Sequence, residues 1–393
     1  MGGVSFIGRN ISFSKTSRSR QTIIYGMKSM MYPAKEFVKV VWHRLSMLKL
    51  PIRYFYPRNC FPKLLSMNVE QAERVLAEIH PDTGKSCLCK NEINPVHDLH
   101  IIVPVYNTAQ YVVECLDSIL YQETKYSIFI SIINDGSTDN SKSALDTYIS
   151  SLTGSPLQHK LAIIHQSNQG PSAARNTALK NIVGRYVMFV DSDDRLMPGA
   201  IESLMSAALS NNADIAEGNS TSGSCYGFAW GKVYDAELFR NIHFPPGYWF
   251  EDTINALFLY HICRKRITIK GVYYYYRPNE SSIMNTFKGT SRSIDSLWVS
   301  RRVLSDYFSS GHKATEPLFR NFLQDAISTA SHIHTIQQED ALQAVFVVQC
   351  SIAHKFFGDM LSDNINLKSL PLDLMFMALA LKDQDYRRFR SIV

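Results

Sequence analysis

Apolar and polar positions follow two rhythms along this chain. From Leu99, short apolar runs alternate with stretches of helical spacing, the pattern of a mainly parallel α/β sheet. The runs LHIIVPV, YSIFISIIND, LAIIHQ, RYVMFVD and ADIAEGN read as strands. Between them the spacing predicts helices near Tyr111–Leu120, Asn140–Leu152, Pro171–Ile182 and Pro198–Asn211. Pro171 suits a first helical position, and Gly184 is expected just past that helix's end. Beyond Asn219 the pattern loosens into FAWGKVYDAELFR, a helix near Phe250–Cys263 and the stretch RITIKGVYYYYRPNESSI. From about residue 290 to 393, Leu, Phe and Ile recur at helical spacing. Upstream, a helix is expected over Val69–Ile79, and HPDTGKSCLCKNEINP reads as linker. No internal repeat and no low-complexity segment appears. The chain therefore divides into residues 1–66, a basic extension; 67–98, a short helix and linker; 99–288, an α/β domain; and 289–393, a helical region.

Charge alters the picture mainly at the N-terminus. The 393 residues carry a net +6, yet residues 1–66 hold twelve Lys or Arg and one acid, Glu36, so the remainder is negative. Within AKEFVKVVWHRLSMLKL, Phe37, Val40, Val41, Leu45 and Leu48 fall at helical spacing, flanked by Lys35, Lys39, Arg44 and Lys49. A basic amphipathic helix carrying Trp42 suits an anionic membrane surface. The bland alternative is a helix packed on its own domain with a solvated basic face. No nucleic-acid motif accompanies the charge, so nucleic acid is not an expected partner. No window approaches 18 uninterrupted apolar residues, no secretory signal is expected, and MGGVSF departs from the myristoylation pattern at Phe6. Seven scattered cysteines fit a reducing compartment, which points to the cytoplasm.

Ligands of open α/β sheets sit beyond the carboxyl ends of the strands, so the loop after each strand is informative. The first run ends in PVYN, the second leads into NDGSTDNS, the third into SNQGPSAARN and the fourth into DSDD. All four ends are polar, acidic or Gly-containing. Asp191, Asp193 and Asp194 lie within four positions, and like charges so close repel unless a positive group sits among them.

Taken together, VPVYN, INDGSTDNS, NQGPSAARN and FVDSDD resemble the family 2 glycosyltransferases over about Leu99 to Ile283. The resemblance implies the GT-A fold: a Rossmann-like, mostly parallel twisted sheet flanked by helices, here with a basic N-terminal extension and a helical C-terminal region. It implies an inverting transfer of a sugar from a nucleotide-diphosphate donor, with a uridine nucleotide expected, to a hydroxyl. The developing charge on the diphosphate calls for a divalent cation, Mn²⁺ or Mg²⁺, held by carboxylates. By the resemblance Asp193 holds the metal, and Asp191 serves the ribose and the metal's surroundings. Ser192 lies between them, while Asp194 either caps the next segment or positions Arg175. Asp135 resembles the family's base-reading aspartate, with Pro104, Val105, Tyr106 and Asn107 forming the wall around the base. Asn168, Gly170 and Arg175 complete the donor side. A sugar hydroxyl needs a positioned proton acceptor. Glu251-Asp252, ahead of an apolar run, resembles the family's ED motif, with Asp252 the base and Glu251 on the acceptor side. Trp230 and Lys232 resemble the acceptor segment, although core packing competes for Trp230. His243 is a weaker candidate for the acceptor loop or the metal, and Arg277 and Ser281 for the diphosphate. Cys87, Cys89, His97 and His100 imitate a zinc set, but His100 falls inside a strand.

These readings converge on a transferase acting on a glycan or lipid-linked acceptor in surface polysaccharide, lipopolysaccharide or similar synthesis, peripheral on the cytoplasmic face of the inner or plasma membrane. The competing readings are an inactive nucleotide-sugar binder and a membrane scaffold. The C-terminal helices are expected to pack on the domain, pair subunits into a homo-oligomer or hold the acceptor.

Overall fold

The computed structural model describes residues 65–279, 286–362 and 364–393, with side chains from 367 onward in the last segment. The predicted basic helix and Ser281 lie outside the described residues. The mixed sheet has nine strands among the described residues: β1 (Glu92–Val105), β2 (Ile128–Asp135), β3 (Leu161–Gln166), β4 (Asn181–Phe189), β5 (Arg195–Leu196), β6 (Ile215–Ser220), β7 (Gly223–Ser224), β8 (Lys232–Asp235) and β9 (Arg266–Tyr275). Their spatial order is β3-β2-β1-β4-β8-β6-β9-β5, with β7 paired to β6. β1 pairs in parallel with both β2 and β4, through Val103↔Ile132 and Ile101↔Met188. The chain therefore leaves β1 to one side and returns on the other, and ligand crevices form at such a switch point. β8 runs antiparallel to β4, and β9 runs parallel to β6.

Alternation along the strands builds two apolar layers. Ile101, Val103, Ile130, Ile132 and Met188 face α2 (Val112–Leu120), α3 (Ser141–Ser151) and α5 (Ala200–Asn211). Ile102, Ile133, Val187 and Phe189 face α4 (Pro171–Leu179). That second layer continues into α1 (Val69–Ile79) and the C-terminal helices α7 (Asp295–Ser309), α8 (Glu316–His334), α9 (Glu339–Ser362) and α11 (Leu372–Asp383). Between α9 and α11 lies α10 (Asn364–Ser369), and α12 (Tyr386–Arg390) ends the chain. By length and composition α9 could cross a membrane. Ala341, Val345, Phe346 and Ala353 are nevertheless buried within the molecule, as in a core helix.

Three expectations need correction. The helix from Pro171 stops at Leu179, because Asn181 already opens β4 beside Glu92. Gly184 lies inside β4, where an added Cβ would sit 2.2 Å from the His100 amide nitrogen, so close backbone packing explains it. The Phe250–Cys263 helix begins late, as a π-helical turn (Asn255–Leu259) running into the short α6 (Tyr260–Ile262).

The stretch read as linker is a stapled strap. The Ser86 hydroxyl and the Cys87 amide donate to Asp306 on α7 at 2.9 and 2.7 Å. Asn91 Nδ2 donates to the carbonyls of Phe239 and Ile242 at 2.6 and 3.0 Å. Thr83 bonds the Pro246 carbonyl, and Tyr248 bonds Asp82. The strap thus holds the segment leading to Glu251 against the C-terminal helices.

Candidate active site

β4 ends at Phe189, and its chain continues into a tight turn in which the Asp194 amide donates to the Asp191 carbonyl at 3.0 Å. β5 then pairs with β9 and brings Tyr274 over the turn. The Tyr274 hydroxyl accepts from the Asp191 amide at 3.1 Å and donates to Asp194 Oδ2 at 2.8 Å. Asp194 also accepts the Arg277 amide at 2.8 Å, so it fastens the turn and does not position Arg175. Burial, with Asp191 next, pushes its carboxyl up to about 8. Asp193 is also raised, by burial and then by Asp191, and its Oδ2 accepts from Asn279 at 2.9 Å. The turn thus crowds buried carboxyl groups where ionisation is penalised.

Arg175, one turn into α4, supplies part of the compensation. Arg175 is 3% exposed, and its guanidinium bridges Asp191 Oδ1 at 2.8 Å and Glu251 Oε1 at 2.5 Å. This fork ties the third strand-end loop to both acidic motifs, and the planar guanidinium suits such a bridge. Beside it, Asp252 is half-buried with Oδ1 lacking any hydrogen-bond partner. Burial raises its carboxyl above the ordinary range; Arg175 draws it back, Glu251 and Asp191 add to the rise, and the Ala229 amide opposes it. A proton acceptor held this way is suited to catalysis near neutral pH.

The donor-side loops are tied to one another. Asn107 Oδ1 accepts the Thr138 amide at 2.8 Å, and its amide donates to Ser137 at 3.1 Å. Thr108 Oγ1 meets Ser192 Oγ at 2.9 Å, linking the first and fourth loops. Asp135 is buried, and its carboxylate accepts from Gln166 Nε2 at 2.7 Å and from the Gln169 and Gly170 amides at 3.0 and 2.7 Å. It is committed to shaping the third loop, which limits the base-reading role expected of it. At Gly136, with φ +66°, an added Cβ would lie 2.6 Å from the Asn168 nitrogen, so only glycine lets these loops meet. Val105 is buried, Pro104 is half-buried and Asn168 is exposed, while Tyr106 is 47% exposed and offers an open ring.

Several other predicted residues are engaged by partners within the protein. Trp230 is stacked between Phe228 and Tyr274, each 4.5 Å away, so neither indole face is open to a sugar. Lys232 is fully buried and spends its ammonium on Glu217 at 2.9 Å, the Cys225 carbonyl at 2.7 Å and Tyr260 at 2.6 Å. The three bonds use its three N–H donors and leave none for an acceptor or phosphate. His243 bonds the Ser86 carbonyl at 3.1 Å, and burial lowers its basicity; it belongs to the strap. His100 is buried against Ser131 at 2.8 Å, His97 stacks on Phe129, and Cys87 is held at Asp306, so the zinc-like set does not converge. Arg277 lies over Tyr111, donates to the Asp193 carbonyl at 2.7 Å and pairs with Glu114.

The motif reading missed Tyr274, Asn279 and Glu114, which organise the acidic turn, and Asn255. Asn255 accepts from Tyr234 at 2.8 Å and donates to the carbonyls of Gly227 and Asp252 at 3.2 and 3.1 Å, fixing the start of the helix beyond the base. A buried Asn in an apolar helical run was the one signal for it.

Among the described residues no group of three or more His, Cys, Asp or Glu converges as a metal cage. The donor chemistry nonetheless fits a hard cation shared with ligand oxygens. Arg175 takes one oxygen of Asp191 and Asn279 one of Asp193, leaving the second oxygen of each for a cation.

Parts of this chain are similar to known proteins. Residues 100–267 match the pattern of Glycosyl transferase family 2. Glycosyltransferase GlyA of Streptococcus pneumoniae serotype 4 is 35% identical over 221 residues, covering 47% of this chain and 31% of GlyA. The match therefore spans under a third of that relative's length. Glycosyltransferase GlyG of the same organism is 28% identical over 283 residues, covering 62% of this chain and 92% of GlyG. Among solved structures, S. aureus TarS 1-349 with UDP-GlcNAc superposes with a TM-score of 0.43 at 19% identity, covering 75% of this chain and 82% of that TarS chain. Mannosyltransferase PcManGT from Pyrobaculum calidifontis, with GDP-Man and Mn²⁺, gives 0.45 at 15% identity, covering 80% and 92%. The stretch that matches Glycosyl transferase family 2, residues 100–267, holds the four strand-end loops and both acidic motifs.

Proposed function

We propose that this protein is an inverting, metal-dependent glycosyltransferase using a nucleotide-diphosphate sugar, with a uridine diphosphate sugar the first candidate. The observation that carries the reading is the junction at Arg175. One buried guanidinium joins the acidic turn, where a diphosphate would be received, to Glu251, next to an unpartnered Asp252 oxygen. Asp191 and Asp193 would hold Mn²⁺ or Mg²⁺, which when bound supplies Lewis-acid stabilisation of the departing diphosphate. Tyr106 and the Asn168–Gly170 loop would flank the nucleobase. Asp252 would take the proton of the acceptor hydroxyl as that oxygen bonds to the anomeric carbon. The bond from that carbon to the donor phosphate breaks, and its electron pair leaves on the diphosphate. One in-line displacement of this kind inverts the anomeric centre. The basic segment 1–66 supports a further proposal: the acceptor is a glycan or lipid-linked glycan presented at the cytoplasmic face of a membrane. The test is a panel of UDP- and GDP-sugars offered with Mn²⁺ or Mg²⁺ while free nucleotide diphosphate is measured. Hydrolysis of one donor, lost on chelation, supports the reading; no hydrolysis and no binding of any donor overturns it.

A further inference from the structure

The dipeptide carrying the candidate base comes directly after a residue in an uncommon conformation. Phe250 has φ +61°, a region that costs side-chain-bearing residues and persists only where the surroundings impose it. Those surroundings come from the C-terminal part of the chain. The Phe250 ring stacks on the His332 imidazole of α8, with centroids 4.8 Å apart and planes 19° apart. The Phe287 ring meets Phe250 edge-on at 5.2 Å and His332 at 4.7 Å, closing a cluster of three rings. Burial lowers the basicity of His332, which favours a neutral ring in the stack. One residue earlier, the Trp249 amide donates to buried Asp295 Oδ2 at 2.9 Å, and the Arg292 guanidinium lies 4.9 Å from the Trp249 ring. On the far side of Phe250 the chain turns at once. The amides of Thr253, Ile254 and Asn255 donate to the carbonyls of Phe250, Glu251 and Asp252 at 3.0, 3.2 and 2.9 Å.

A left-handed residue here sets the direction of everything after it. Moving Phe250 to an ordinary negative φ would swing Glu251 and Asp252 together, removing Glu251 from Arg175 and Asp252 from the Ala229 amide. We propose that the His332–Phe287 pair is a clamp that positions the base, holding Phe250 left-handed so that Asp252 faces the acceptor hydroxyl. His332 is on this account a positioning residue, and the C-terminal helices are part of the catalytic apparatus. The proposal rests on Asp252 being the base.

The experiment compares Phe250→Ala, Phe250→Gly, His332→Ala, His332→Phe and the double variant Phe250→Gly/His332→Ala. It reads turnover and KM for the first donor hydrolysed in a UDP- and GDP-sugar panel with Mn²⁺, together with amide hydrogen exchange at Thr253, Ile254 and Asn255 without ligand. Glycine adopts positive φ freely whereas alanine does not. Phe250→Ala is therefore expected to lose at least about tenfold in kcat and Phe250→Gly clearly less, with donor KM little changed. His332→Ala should lower kcat and speed exchange at the three amides, His332→Phe should keep most of the rate, and His332→Ala should add nothing in the glycine background. Equal losses for alanine and glycine at 250, or a His332→Ala loss that is the same in both backgrounds, would overturn the clamp. Unchanged exchange in His332→Ala would overturn it even where turnover is too low to measure. Asp252→Asn separates the two claims. Full turnover in that variant refutes the base assignment, whereas full turnover in His332→Ala with an inactive Asp252→Asn refutes the clamp alone.

Discussion

Replacing Arg175 by Met removes a guanidinium while keeping much of the side chain's length and apolar volume. Two carboxylates lose their partner, Glu251 at 2.5 Å and Asp191 at 2.8 Å. Taking one member from a buried ion pair costs about 3–5 kcal/mol, because the remaining charge stays desolvated. Glu251 is 7% exposed and falls under that rule, whereas the Asp191 side chain is 29% exposed and recovers solvation. The lower end, about 3 kcal/mol, is therefore expected for the loss of unfolding free energy, read from guanidinium denaturation at pH 7. A second signature concerns pH. Arg175 is the largest influence drawing the Asp252 carboxyl back from its raised position. Without it that pKa rises further, and since a base acts only when deprotonated, the acidic limb of the pH–rate profile moves to higher pH. Arg175→Lys keeps the charge without the fork and should fall between the two proteins. A stability loss under about 1 kcal/mol together with an unmoved acidic limb would refute the electrostatic account of this junction.

The same contacts set other outcomes. Lys232→Met should cost about 3 kcal/mol, moderated because Arg266 stays 3.2 Å from Glu217, with donor affinity retained; an unchanged denaturation midpoint with a raised acceptor KM would instead return Lys232 to the acceptor site. Gly136→Ala forces a Cβ to 2.6 Å from the Asn168 nitrogen at φ +66°, so it should cost about 1–2 kcal/mol of stability and weaken donor binding at least about tenfold by calorimetric titration. Asp193→Asn should weaken divalent-ion binding in the presence of nucleotide diphosphate, measured by Mn²⁺ electron paramagnetic resonance; unchanged Mn²⁺ affinity would remove Asp193 from the metal site.

The strand-end loops were legible because their chemistry is local. A Gly, an Asp and a helix start within ten residues declare themselves whatever packs around them, and the four parallel strands behind them show the apolar runs of buried sheet. Trp230 and Lys232 were not legible, since FAWGKVYDAELF cannot reveal that Phe228 and Tyr274 cover both indole faces or that Glu217 waits 15 residues upstream for the ammonium. Asp135 illustrates an intermediate case: its place at a strand end was plain, but the Gln169 and Gly170 amides that occupy it come from another loop. The strap from His80 to Asn91 lacks periodicity and contains Pro81 and Gly84, so it resembled a linker; its order comes from bonds to Asp306, Phe239 and Ile242, distant in sequence. The dependence of the Glu251-Asp252 segment on helices some 80 residues later is likewise a property of the fold alone.

Asp252→Asn puts the central claim to its most direct trial, with donor affinity and turnover measured side by side and the anomeric configuration of the wild-type product read by NMR. Binding preserved within about threefold, turnover down by about a hundredfold or more and an inverted wild-type product are the expected results. A variant that turns over at the wild-type rate, or a wild-type product of retained configuration, would contradict the account.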